Sequence, residues 1–384
     1  MEEKELLALI ALQHIPGIGS ITAKRLLEAV GSAAKLFEHR VDLASMIPQV
    51  QPALVKALDC SSAHRRAEQE LEFIRKHHIT CIGYYDEAYP SRLRECDDAP
   101  ILLFYRGNAT LNPHRVVSIV GTRKCTEYGR GLCESFVRDL SSLCPDVLVV
   151  SGLAYGIDVC AHRAAIKYAL PTVGVLAHGL DRIYPSVHRN TAAQMVACGG
   201  LLTEYVSHTE PERQNFLQRN RIVAGMSDAT IVVESADRGG ALVTASIANS
   251  YSRGCCAFPG RMNDIYSAGC HRLIRNNQAA LITSAADFME HMLWDVSQRT
   301  QDRNMQQSLF PEFNDEESCI VGLLEKHADG ILINTIALEA GLPVHRVSAV
   351  LFELELRGVV RPLVGNAYKL NGSTSWSSSF FQDK

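Results

Sequence analysis

The 384-residue sequence has no excess of basic residues: 38 Lys and Arg stand against 42 Asp and Glu, a formal net charge of -4. That balance excludes a protein that meets nucleic acid over its whole surface, so any site for a polyanion must be local. Its twelve cysteines contain no Cys-x-x-Cys pair, which removes the usual zinc-ribbon signature, and most of them read as small core hydrophobes. Neither a metal nor a cofactor is expected. No apolar run approaches the length of a membrane span and no basic-then-apolar leader is present, so the expectation is a cytoplasmic protein without a membrane partner. Two nucleotide signatures are also missing. After the apolar run Val116–Val120 the order Gly-x-Gly-x-x-Gly does not occur, and no Walker lysine follows either central glycine turn.

What is present is a strand–glycine–helix rhythm. Val116–Val120 stops at Gly121-Thr122-Arg123-Lys124 and is followed by helical spacing from Tyr128 to Leu140. The run Val147–Val150 then stops at Ser151-Gly152-Leu153-Ala154-Tyr155-Gly156-Ile157-Asp158, again before a helix. Such a βαβα unit closes into a parallel sheet with both turns at one edge, where helix N-termini present unpaired N–H groups to an anion. Further strands at 172–176, 200–205, 229–234, 255–258 and 279–283 predict a doubly wound, Rossmann-like α/β sheet.

The stretch Asn215-Phe216-Leu217-Gln218-Arg219-Asn220-Arg221 interleaves cations with one aromatic ring, a pattern suited to an unpaired strand whose backbone meets the cations and whose base stacks on the ring. Phe216 as an ordinary core residue is the competing reading. The two turns and this stretch, in this order, resemble the DprA/Smf family of DNA-processing proteins over most of the chain. The resemblance implies a non-enzymatic protein that binds single-stranded DNA, protects incoming DNA and loads RecA recombinase onto it in natural transformation, working as a homodimer. It carries over Arg123 as a phosphate ligand, the N–H groups around Gly121 and Gly152 as a phosphate cradle, and Phe216, Arg219 and Arg221 as strand contacts; Thr122, Lys124, Ser151, Asn215 and Asn220, beside them in the same turns and stretch, complete the expected single-stranded DNA site. The chain departs from the family pattern at Ala177–Asp181 and at Gly239–Leu242, and neither loop enters the expected site. The competing function is a nucleotide-binding or nucleotide-hydrolysing enzyme, with Asp158, Asp181, Glu204, Glu234 and His178 near strand ends, although no pair of them has a diagnostic spacing.

The flanking segments complete the expected order. Residues 1–61 form a helical, helix-hairpin-helix-like region, whose Gly17 and Gly19 turn with Lys24 is a secondary DNA contact or a plain helical hairpin. Residues 62–294 form the sheet domain, 295–317 a flexible linker, 318–371 a winged helix and 372–384 a disordered tail. The recognition helix of the winged helix sets Glu353 and Glu355 against His345, Arg346 and Arg357, a near-neutral balance that favours protein contact or packing over DNA.

Overall fold

The computed structural model describes residues 1–39, 43, 52–294, 313–327, 330–357, 359–363 and 367–370; the expected linker, apart from its last residues, and the expected tail lie outside them. Two compact units result, Met1–Val296 and Ser297–Lys384.

The first unit is built on nine strands: β1 (Thr80–Gly83), β2 (Leu102–Gly107), β3 (Val116–Val120), β4 (Leu148–Ser151), β5 (Thr172–Val175), β6 (Gly200–Thr203), β7 (Ala229–Val232), β8 (Gly254–Ala257) and β9 (Ala280–Leu281). Their order across the sheet is β1-β2-β6-β5-β4-β3-β7-β8-β9. The seven strands from β6 to β9 pair parallel, whereas β1 and β2 run antiparallel along one edge. The strands read as unbroken apolar runs because both sheet faces are covered. Alternate residues of β3 divide accordingly: Val116 and Val120 join Leu148, Val150 and Ile222 on one face, and Val117 and Ile119 join Val149, Phe136 and Ile231 on the other. Ser118, the polar residue inside β3, is satisfied by Thr230 across the β3–β7 pair at 2.7 Å.

Strand order reverses at β3, with β4 on one side and β7 on the other. At such a switch point the connections leave in opposite directions and open a crevice beyond the carboxyl ends of the strands.

Before the sheet come the helices Glu3–Gln13, Ser20–Val30, Ala33–Glu38, Pro52–Ala57 and Ser61–His77. The drawn boundary at 61/62 falls inside the first turn of the last of these, and the apolar cluster does not stop there. Leu12, Leu26, Ala67 and Ile74 pack in one cluster with Ile101, Phe104 and Val206 of the sheet side. Polar contacts reinforce the junction: the buried Glu70 carboxylate accepts from the Ser207 N–H at 3.0 Å and from Arg66 at 3.1 Å.

In the second unit, helices Asp315–Lys326, Ile333–Ala340 and Val344–Leu356 pack on a small antiparallel sheet of order β10-β12-β11, formed by β10 (Ile331–Leu332), β11 (Val360–Leu363) and β12 (Ala367–Leu370). Asn314 and Glu317 form a reciprocal capping box that starts the first helix. A bend of 111° separates the second and third helices, the geometry of a helix-turn-helix, and the β-ribbon behind them makes the winged helix that the sequence predicts. β10 is an addition to that expectation, too short to show a period. Among the described residues no single helix is long and apolar enough to cross a membrane.

Candidate functional site

Beyond the ends of β3, β4 and β7 lies a pocket of about 640 Å³. Its rim begins with Gly121, where an added Cβ would stand 2.4 Å from Ile157. The Thr122 N–H donates to the Glu234 carbonyl at 2.7 Å and the Thr122 carbonyl accepts from Ile157 at 3.2 Å, so the first glycine turn is held by the end of β7 and by the second turn. Gly156 makes that fit possible. With φ at +80° it takes a conformation that favours glycine, and a Cβ there would lie 2.1 Å from the Thr122 carbonyl oxygen.

The helix Arg213–Gly225 forms the opposite wall. Residues 216, 219, 220 and 223 share its inner face by the 3.6-residue period, and all four line the pocket. Phe216 is half-buried, with the Arg123 guanidinium carbon 5.0 Å from its ring centroid and that of Arg219 at 5.9 Å. Tyr184, 46% exposed, stands at 5.9 Å from the same ring with the planes inclined at 57°. Two rings and two guanidinium groups thus converge on one spot.

Arg219 is buried, and its Nη1 donates to the Gly152 carbonyl at 2.6 Å and to the carbonyl of Val175. Gly152 must be glycine for this: a Cβ there would sit 2.4 Å from that nitrogen. Burial lowers the Arg219 pKa from its ordinary value, while Asp158 opposes the shift. Asp158 in turn is pushed up by its own burial and held down by Arg219 and by the Ala154 and Gly152 N–H groups. Arg219 therefore lines the pocket, but its hydrogen bonds run into the sheet.

Other expected contacts are distributed differently. Gly121, Thr122, Arg123, Gly152, Phe216, Arg219 and Asn220 line the pocket together; Lys124, Ser151, Asn215 and Arg221 do not. Ser151 is buried and donates to the Ile119 carbonyl at 2.6 Å. Lys124 is exposed beyond the turn, its N–H on the Thr122 hydroxyl at 3.2 Å. Asn215 donates back to the Glu210 carbonyl at 3.0 Å. Arg221 leaves from the far side of the helix and pairs with Glu204 at 2.5 Å, because it lies five residues after Phe216 and so falls across the helix axis from it.

Further residues that line the pocket lie outside the expected site. Arg238, Gly239 and Gly240 line the pocket from the β7 side, and Gly239 precedes the helix Gly240–Ser250 with no side-chain cap on its first N–H groups. The signal was present, since this is the third strand–glycine–helix junction in the unit. Arg213 and Tyr184 also border it. Arg123, Arg213 and Arg238 are exposed and have no carboxylate at ion-pair distance among the described residues.

In the N-terminal hairpin, Gly17 has φ at +83° and Gly19 precedes the helix Ser20–Val30 without a side-chain cap. Lys24 lies over the Tyr84 ring, 5.0 Å from its centroid. Gly19 faces a second pocket toward the sheet rather than the first. Among the described residues no group of three His, Cys, Asp or Glu could hold a metal ion.

The class of protein defined here is an open α/β sheet with a cationic, ring-bearing pocket at its switch point, followed along the chain by a winged helix. The family model for DNA recombination-mediator protein A matches residues 80–293, and that for the DprA winged helix domain matches 309–366. The chain belongs to the DprA/Smf family of DNA-processing proteins. It is 38% identical over 238 residues to a putative DNA processing protein DprA of Mycobacterium tuberculosis, covering 59% of this chain and 60% of that one, so it spans less than two thirds of that relative. The X-ray structure of DNA processing protein A from Streptococcus pneumoniae superposes with a TM-score of 0.57 at 29% identity, covering 71% of this chain and 98% of that one. DNA processing protein A from Helicobacter pylori, whose structure is described for its single-stranded DNA binding mode, gives 0.51 at 28% identity over 56% of this chain and 96% of its own.

Proposed function

We propose that this chain binds single-stranded DNA in the pocket at the ends of β3, β4 and β7, and that it delivers the strand to RecA recombinase in natural transformation. The observation that carries the reading is Phe216 flanked by Arg123 and Tyr184 beside the exposed Arg213 and Arg238. An unpaired base has a free face to offer such rings, and its phosphates suit exposed cations that have no carboxylate at ion-pair distance among the described residues. A duplex hides both base faces. The Helicobacter relative's single-stranded DNA binding supports the same ligand here. A homodimer would place two such pockets on one strand and raise the effective concentration of each.

The acidic groups that an enzyme would need have other occupations. Glu234 accepts from the Thr126 N–H at 2.9 Å, Asp181 accepts from Arg182 at 3.0 Å, Glu204 pairs with Arg221, and Asp158 is buried against Arg219. We therefore read the site as a binding site in a cytoplasmic protein, with no catalytic residue.

Fluorescence-anisotropy titration of the full chain with a labelled thymidine oligonucleotide and with a hairpin duplex of equal charge tests this. Tighter binding of the single strand, weakening with salt, is expected. Equal affinity for the two would remove the stacking rings from the site.

A further inference from the structure

The helix Arg213–Gly225 has a pocket on each side. The second, about 910 Å³, lies between the N-terminal hairpin and the sheet, and Leu217, 44% exposed, borders both. Its walls are unlike those of the first. Ile18, Leu217, Ile247 and the rings of Tyr205 and Tyr251 supply apolar faces, while Gln13, Glu204 and Arg221 supply polar groups.

Those three residues share a feature. Each carries a buried polar atom without a hydrogen-bond partner among the described residues: Gln13 Oε1, Glu204 Oε1 and Arg221 Nη1. The rest of each group is engaged. Gln13 Nε2 donates to the Leu102 carbonyl at 3.1 Å, and Arg221 Nη2 donates to Glu204 Oε2 at 2.5 Å. An unsatisfied buried donor or acceptor is costly, so three on residues that line one pocket ask for a matching edge. Two acceptors and one donor match an exocyclic amino group beside an unprotonated ring nitrogen. Cytosine and adenine present that edge, and thymine does not.

We propose that this second pocket takes an amino-bearing base, cytosine or adenine, from the same strand that the first pocket holds. The strand crosses the helix at Leu217, and its base slides between the apolar walls to meet Gln13, Glu204 and Arg221. This rests on the single-strand reading of the first pocket and adds to it a base preference set at the second. Gln13 and Arg221 thereby act in specificity, with the backbone cations setting overall affinity.

The test compares oligodeoxycytidylate and oligothymidylate of equal length, both pyrimidines, by anisotropy on the full chain and on Gln13→Leu, Thr22→Trp and Phe216→Ala. Thr22 lines the second pocket alone, so its replacement fills that space. The parent should prefer the cytidylate by about tenfold, the worth of one good base-edge pair. Gln13→Leu and Thr22→Trp should bring the ratio close to one while leaving thymidylate affinity within about twofold. Phe216→Ala should weaken both oligonucleotides and keep the ratio. A parental ratio near one, or a ratio that persists in both Gln13→Leu and Thr22→Trp, overturns the second pocket while leaving the first intact. Unchanged affinity in Phe216→Ala instead overturns the first. Should free deoxycytidine monophosphate bind the parent and not Thr22→Trp while the oligonucleotide ratio stays at one, the pocket holds a free nucleotide and the strand assignment fails. Gln13→Leu changes no volume to speak of, so it decides the matter if Thr22→Trp does not fold.

Discussion

Arg123 lies over the face of Phe216, its guanidinium carbon 5.0 Å from the ring centroid, although the two residues are 93 positions apart in the chain. A base that stacks on Phe216 would meet a surface already shared with a cation, and the phosphate beside it would meet the cation itself. Arg123→Ala should weaken single-strand binding for every sequence and lower the slope of log affinity against log salt by about one phosphate contact, roughly 0.7. Anisotropy titrations at four salt concentrations measure both. An unchanged slope would mean that Arg123 touches no phosphate.

Phe216→Ala separates stacking from charge. Affinity should fall by an amount worth about 1–3 kcal/mol, with the salt slope nearly that of the parent. Circular dichroism melts guard the interpretation, because a large drop in thermal midpoint would return Phe216 to the core.

Arg219 is a different kind of arginine, tied by Nη1 to the carbonyls of Gly152 and Val175. Arg219→Met should destabilise the first unit by about 2–4 kcal/mol, since buried strand-end carbonyls lose a charged donor. Urea unfolding measures it. Loss of DNA affinity with unchanged stability would instead place Arg219 on the ligand.

Acid should act through His162. Burial, with the nearby Arg219 and His188, holds its imidazole down at about 3, against an ordinary value of 6.5. The folded chain keeps it neutral while the unfolded chain takes up a proton below 6.5, so the stability it contributes is whole above that pH and is lost as pH falls toward 3. His162→Gln should flatten the decline of the urea midpoint between pH 7 and pH 5. Parallel declines in parent and variant would assign acid sensitivity to other groups.

Truncation after Trp294 removes the second unit, in which Arg346 of the third helix and Arg357 just beyond its end form ion pairs with Glu316 and Glu317. Cations neutralised in this way add little to polyanion binding. Single-strand affinity should stay within about threefold of the full chain. A loss of most of the affinity would transfer the main site to the winged helix.

The strands and the glycine turns could be read locally because a buried parallel strand is a continuous apolar run and a close backbone approach excludes a Cβ. The site was legible in part for the same reason: Gly121 and Gly152 sit where their own strands end. Lys124 and Asn215 do not line the pocket, although their neighbours Arg123 and Phe216 do. Runs of basic residues along the chain do not show which face of the helix each takes: Phe216, Arg219 and Asn220 line the first pocket, Gln218 and Arg221 line the second, and Leu217 borders both. Tyr184 and Arg238 come from distant loops, and only the strand order brings them to β3.

The bonds from Arg219 to Gly152 and Val175 span the ends of two adjacent strands and a helix from the other half of the sheet. That helix cannot slide along the sheet without breaking them, so the spacing between the Phe216 ring and the Thr122 turn is fixed before any ligand arrives. A preorganised groove of this kind spends little ordering entropy on association, and the proposed selectivity for a single strand then rests on rigidity in the protein rather than in the ligand.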